Sequence, residues 1–375
     1  MIHQLTGEEG AYERIRPLLP EISRHPVING VIAGHNKGRI FVDDPQRPAC
    51  ALVWAEHEIF YLIGEPQESF VSALPALIRE VIAPRAERIG DPFFQVELMP
   101  EAKWQTVIEE RLQEFIPKKY DRVTFTFNPE IYRDLPQVTV PQGVSVERVT
   151  SSMLFDNAFK RVRDDIDAFW ESPEAFIEKG FGYVVLAGDE VASSCLTAFG
   201  SETDVEIGVN TYDRVHRGKG CAHLAARAFL DECLRQGRTP YWNTEDFRLP
   251  SIRLAEKVGF TNRRMYGAYV FLYNELDNFV FTAYHRLRYS SDFAEANRFL
   301  ERARALGDLN DWHHFLLACA YSVAGETDRS LKHMKQALEL GWYDVSDIRY
   351  DVDLVNLRNT EKGRILLQAF ENHLG

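Results

Sequence analysis

The run Arg217-Gly218-Lys219-Gly220-Cys221-Ala222 brings two cations and two glycines to the head of an amphipathic stretch. A helix N-terminus leaves its first amides without intrahelical acceptors and carries partial positive charge. A pyrophosphate accepts hydrogen bonds from such amides. Glycines let a ligand lie against the backbone, and Arg217 and Lys219 add formal charge. The chemistry this suggests is binding of a phosphate-bearing ligand at a strand-to-helix junction. The run contains neither G-x-x-x-x-G-K-[ST] nor G-x-G-x-x-G, which excludes nucleotide loops of those two types. A Gly-rich turn ahead of a helix is the plainer alternative. Cys221 has no identifiable base beside it and reads as a small filler rather than a nucleophile.

Such a cradle needs an apolar strand before it and a helix after it. Residues 204–210 supply the strand, and 222–235 supply the helix, with Leu224, Ala228, Phe229 and Cys233 on one face. Upstream come a strand at 144–149, helical material to about 179, and strands at 183–187 and 191–199 joined by Gly188-Asp189-Glu190. Downstream come a short strand at 240–244 and a helix over 250–258, with Pro250 in its first turn and Gly259 at its end. A last strand covers 268–273. Pro136, Pro141 and Gly143 punctuate 135–143 and mark a joint. Before that joint, strands at 49–54, 59–63, 93–98 and 123–127 alternate with helices at 69–83 and 101–115, without a catalytic motif.

On these residues, 144–276 resembles the GNAT superfamily of acyl-CoA N-acyltransferases. Residues 204–210 look like its central strand, which splays from its neighbour, and 217–222 match its pyrophosphate motif. Ser251-Ile252-Arg253-Leu254-Ala255-Glu256-Lys257-Val258-Gly259-Phe260 is similar to its later helix, closing in Gly-Phe. Glu206-Ile207-Gly208-Val209, Trp242-Asn243 and Ala255 to Phe260 resemble more narrowly the zwittermicin A resistance type, a degenerate N-terminal half joined to an active C-terminal half. The resemblance implies acetyl-CoA as co-substrate. It implies cofactor contacts from the backbone of Val209 and Thr211 and from Arg217, Gly218, Lys219, Gly220, Cys221 and Ala222.

Acetyl transfer requires a neutral amine, hence a base or a water relay. Glu206 is the candidate: strand alternation puts Val205, Ile207 and Val209 on the opposite face. An ion-pair partner or an exposed strand carboxylate is its alternative. As base, Glu206→Gln is expected to slow turnover most at low pH. Two departures from the family matter. Ala255 stands where a Tyr proton donor is common, leaving Tyr266 and Tyr269 as candidates, and Arg248 stands where an Asn is frequent. For the amine, Asp164 to Glu171 and the pair Glu245-Asp246 offer carboxylates, although such runs also form solvated faces.

The 375 residues favour two or three domains. A net charge of −13 argues against nucleic acid as main partner. The five scattered cysteines form no C-x-x-C pair, so neither a structural zinc nor a disulfide framework is expected. The start, Met1 to Glu9, has no basic or apolar signal-peptide region, and no run is long enough for a membrane span. The cytoplasm is the expected location.

From about 277 the chain reads as helical. Ala303, Leu306 and Gly307 recur as Ala337, Leu340 and Gly341, a shift of 34 residues, the length of a tetratricopeptide unit. His313-His314 reads as helix surface.

The fold class is α/β: tandem GNAT-like domains with mixed central sheets, then an all-α repeat-like domain. Expected boundaries are 1–136 for the degenerate half, 144–276 for the acetyltransferase and 277–375 for the helices. The expected function is acetyl transfer to a primary amine of a small molecule, with an aminated antibiotic as one instance. Alternatives are a protein acetyltransferase that recruits its partner through the helices, and a non-catalytic acyl-CoA sensor or scaffold. No metal is expected.

Overall fold

Among the described residues, strands spread from residue 3 to residue 272 form one mixed twelve-stranded sheet. The computed structural model describes residues 2–6, 10–19, 25–342, 349 and 351–374. Met1 and residues 7–9 of the polar start lie outside them. The strands are β1 (His3–Gln4), β2 (Gly38–Val42), β3 (Cys50–Ala55), β4 (Ile59–Gly64), β5 (Phe93–Met99), β6 (Lys118–Phe127), β7 (Val144–Arg148), β8 (Gly182–Ala187), β9 (Glu190–Gly200), β10 (Asp204–Thr211), β11 (Thr239–Glu245) and β12 (Phe260–Leu272).

Their spatial order is β1-β2-β3-β4-β5-β12-β6-β11-β10-β9-β8-β7. Two stretches repeat one plan: β3–β4 is antiparallel and β4–β5 parallel, as β9–β10 is antiparallel and β10–β11 parallel. The last strands of the two stretches are interleaved. β6, from the first, pairs with β11 of the second, and β12, from the second, lies beside β5 of the first.

The helices around the site are α1 (Pro26–Ile32), α2 (Glu101–Arg111), α3 (Lys160–Phe169), α4 (Cys221–Gln236) and α5 (Leu249–Lys257). Helix α4 buries Leu224, Ala225, Phe229 and Cys233 against Val205, Ile207 and Trp242 of the sheet. At roughly 25 cal/mol per Å² of apolar area, such burial dominates the stability of this layer. The expected single helix at 69–83 is instead Glu68–Val71, Leu74–Leu77, a π-turn at Ile78–Ile82 and Ala83–Ile89. Pro75 and Pro84 explain the breaks, since each lacks the N–H that a continuous ladder needs.

Two compact units divide the chain. The first comprises Met1–Asp91, Gln95–Leu112 and Lys119–Tyr269; the second comprises Pro92–Phe94, Gln113–Lys118 and Val270–Gly375. The second carries α6 (Glu275–Ser290), α7 (Phe293–Leu306), α8 (Asp311–Val323) and α9 (Thr327–Glu339). The 34-residue echo maps buried positions onto buried ones: Ala296, Leu300 and Ala303 onto Ser330, Met334 and Ala337. Ser330 donates its hydroxyl to the Ala318 carbonyl at 2.7 Å, so α8 and α9 approach closely at small residues.

The expectation that His313-His314 lies on the helix surface is incorrect. Both are buried. His313 closes a capping box with Asn310 and reaches Asp277 at 2.7 Å, while His314 Nδ1 lies 2.9 Å from His333 Nδ1.

Candidate functional site

Strand β10 keeps its pairing with β9 to Thr211, but its parallel ladder with β11 stops after Asp204–Thr239, Val205–Pro240 and Glu206–Tyr241. Beyond that point β11 pairs on its other side with β6, from Trp242–Phe125 to Glu245–Arg122. The two parallel strands thus part at Glu206 and leave the far half of β10 with an open edge.

Backbone alternation says what that edge presents. The amide of Tyr212 donates to Ala192 of β9, so the amides and carbonyls of Thr211 and Val209 face the opposite way, into the opening. The corresponding parallel pair of the first stretch stays closed, with β4 and β5 paired from Phe60–Val96 through Ile63–Met99.

The cradle stands where β10 hands over to α4. Gly220 is the N-cap of α4, with φ +86, and no side chain caps the helix. Gly218 also has positive φ, at +74. Arg217 and Lys219 are exposed, while Cys221 is buried in the core. A helix start with outward amides, positive-φ glycines and two exposed cations fits a phosphate-bearing ligand. At the other end of the motif, Gly259 has φ +89, and a Cβ there would lie 3.1 Å from Tyr132 Cβ. Phe260 follows, buried edge-on to Trp242.

Glu206 occupies the crotch of the opening and is 7% exposed. Its carboxylate accepts from the Asn243 amide at 3.2 Å and from Asn243 Nδ2 at 3.0 Å on both oxygens. The amide that would have continued the ladder is satisfied by a side chain instead. Burial, and then repulsion from Glu58, push the Glu206 carboxyl up from its ordinary 4.5 to about 8, against the opposing pull of the Asn243 donors and Arg122. The direction runs opposite to the low-pH dependence that the sequence suggested for a base at this position. A carboxyl that holds its proton below about pH 8 has base capacity only above that pH.

Trp242 packs toward α4, and its neighbours Tyr241 and Asn243 face the other side of the sheet. There a cavity of about 350 Å³ opens, lined by residues including Tyr61, Glu97, Tyr241, Asn243 and Tyr266. The two tyrosines singled out as proton donors therefore part company. Tyr266 borders this cavity and donates to Glu97 at 2.9 Å, whereas Tyr269 donates to Glu109 of α2 at 2.8 Å.

Ala255 is fully buried in the core beneath the sheet and has no proton to give. Arg248 lies 3.6 Å from Glu245. In the acidic run, Asp165 accepts from Asn210 at 2.9 Å and from the Tyr212 hydroxyl at 2.5 Å, tying α3 to the end of β10. Trp170 is buried and donates to Thr197. Sequence reasoning missed Glu97 and Arg122. The signal for Glu97 was a carboxylate between Val96 and Leu98 in an apolar strand; Arg122, beside Asp121 in a strand of mixed polarity, left none.

A family described as GNAT acetyltransferase matches residues 16–269. The chain belongs to the GNAT acetyltransferase family. It is accordingly an acyltransferase of the N-acetyltransferase kind. YdfB of Bacillus subtilis strain 168, an uncharacterized N-acetyltransferase, is 24% identical over 236 residues, which cover 62% of this chain and 85% of that one. A GCN5-related N-acetyltransferase-like protein from Streptococcus suis superposes with a TM-score of 0.51 at 22% identity, over 70% of this chain and 99% of that chain. A tandem GNAT protein from the clavulanic acid biosynthesis pathway superposes at 0.46 with 13% identity, over 72% and 98% of the two chains. Among the described residues no helix is long and apolar enough to cross a membrane, and no cluster of three or more His, Cys, Asp or Glu could hold a metal ion.

Proposed function

We propose that this GNAT protein moves an acetyl group from acetyl-CoA to a primary amine of a small molecule. One observation carries the reading: the β10–β11 ladder stops at a buried glutamate, and the same strand runs on to the glycine cradle. On this reading Arg217, Gly218, Lys219, Gly220, Cys221 and Ala222 hold the pyrophosphate. The backbone of Val209 and Thr211 lines the pantetheine arm. Acetyl-CoA, when bound, supplies the acetyl group on a thioester carbonyl. Glu206, held by Asn243, takes the proton that the amine must lose, directly or through a water. Tyr266 is the proton donor favoured by its place on the cavity.

The resemblance to the zwittermicin A resistance type makes an aminated antibiotic the specific substrate to try first. The helices from 277 onward are proposed to form a tetratricopeptide-like domain, and the halves 1–136 and 144–276 a degenerate and an active GNAT unit.

A second reading, a CoA-binding sensor without catalysis, is favoured by Ala255, which offers no acid where the family often has one. Thiol release from acetyl-CoA with small amines and with protein substrates separates these readings. Release with small amines alone supports the proposal, and release with proteins alone supports a protein acetyltransferase. Tight acetyl-CoA binding without release from either supports the sensor.

A further inference from the structure

The cavity on the face opposite α4 is built by both halves of the sheet. Tyr61 and Glu97 come from β4 and β5, Thr124 from β6, Tyr241 and Asn243 from β11, and Tyr266 from β12. Resting on the reading of Glu206 as base, we infer that this cavity is the acceptor site, and that its occupant is a small organic ammonium ion recognised by Glu97 of the motif-free N-terminal half and by an aromatic wall to which both halves contribute.

Size comes first. A volume of about 350 Å³ lies at the low end of pockets that enclose small molecules, roughly 300–1,000 Å³.

Charge comes second. Three carboxylates surround one buried guanidinium: Glu97 at 3.1 Å, Glu245 at 3.4 Å and Glu58 at 3.7 Å from Arg122. Arg248 reaches Glu245 from the exposed side, and Glu206 adds a further carboxyl nearby. Acid groups outnumber buried cations, and burial with mutual repulsion raises the proton affinity of Glu58, Glu97 and Glu206. A cation entering the cavity relieves that repulsion. Glu97 is 6% exposed and lines the space, so it is the carboxylate placed to meet it.

Shape comes third. Tyr61, Tyr241 and Tyr266 give ring surface suited to a cation or a flat body, and Leu98 and Met99 give apolar wall.

The step balances simply. The ammonium gives one proton to Glu206 and becomes a neutral amine. Its nitrogen bonds to the acetyl carbon as the carbon–sulfur bond breaks; Tyr266 protonates the departing sulfur, and the second proton on nitrogen replaces the one Tyr266 gave. Glu97 takes no part in bond making; it is a positioning residue for the cation.

Equilibrium binding tests this without acetyl-CoA present. Calorimetry on the full chain at pH 7 would use tyramine, agmatine, putrescine and benzylamine, with 4-ethylphenol as the neutral match to tyramine. At least one amine is expected to bind, and tyramine, if bound, to bind better than 4-ethylphenol. Glu97→Gln should weaken amine binding by at least about tenfold, the loss expected of one charge-assisted contact, while acetyl-CoA affinity stays unchanged. Thr124→Trp, which fills the space from a half-buried position, should weaken every amine and carries the test if Glu97→Gln does not fold. Binding by none of the four amines, or amine affinity indifferent to both substitutions, overturns the inference. Loss of acetyl-CoA binding with amine binding intact would instead count against the cofactor reading alone.

Discussion

Glu206 is where charge, burial and strand geometry meet. Its carboxyl, raised to about 8, gives two predictions of defined sign. Acetylation rate should climb with pH to about 8 as the base form appears. Glu206→Gln should flatten that rise and cost about 10²–10⁴-fold at pH 9, and about 100-fold less than that at pH 6, where the wild-type base form is itself scarce. Stability moves the other way. A carboxyl raised from 4.5 to about 8 holds its proton longer in the folded chain, so wild-type stability falls as pH rises through that window. Glu206→Gln should therefore gain melting temperature relative to wild type between pH 5 and pH 9; a pH-independent difference would contradict the assigned burial. At the cradle, Gly220→Asp forces a side chain into φ +86 and sets a negative charge at the helix start. Acetyl-CoA affinity should drop by at least about 100-fold in a titration; retained affinity would remove the cradle from the site.

The elements differ in how much of themselves they showed in sequence. Helix α4 and its glycine entry were legible because an amphipathic period and a local turn need only neighbouring residues. Strand β12 was read as 268–273 and runs from Phe260 to Leu272, because Arg263 to Met265 is exposed and carries no apolar alternation. The stop in the β10–β11 ladder was expected only by resemblance, since a splay is a relation between two strands and leaves no mark in either. Burial of His313-His314 was hidden for a similar reason, as their partners Asp277 and His333 lie 36 and 19 residues away. The His314–His333 contact makes its own prediction. Burial holds His333 down to about 3, with His314, Lys332 and Arg304 adding repulsion. A lowered histidine favours the folded state above its unfolded value of 6.5 and loses that advantage as pH falls toward 3. Unfolding monitored in denaturant should lose a few kcal/mol over that range, and His333→Gln should blunt the loss. An equal acid sensitivity in the variant would contradict this role.

At the scale of the whole molecule, the two stretches of the sheet repeat one plan and differ in one respect. The first pairs β4 and β5 to Ile63–Met99 and follows them with no glycine cradle, so it offers no opening for a cofactor arm. The second opens at Glu206 and carries the cradle. Interleaving of β6 and β12 then brings Arg122 beside Glu245 of β11 and Tyr266 beside Glu97 of β5. A half that reads in sequence as motif-free α/β material thus furnishes part of the cavity wall, which no local motif could announce. Mass spectrometry of the amine decides whether this assembly transfers the acetyl group of acetyl-CoA to a small amine. Purified chain, acetyl-CoA and an amine panel at pH 8.5, roughly half a unit above the value for Glu206, should yield amine carrying one added acetyl group with matching thiol release, and Gly220→Asp should yield none. Acetyl-CoA bound tightly by the wild-type chain, with every amine recovered unmodified, would contradict the account.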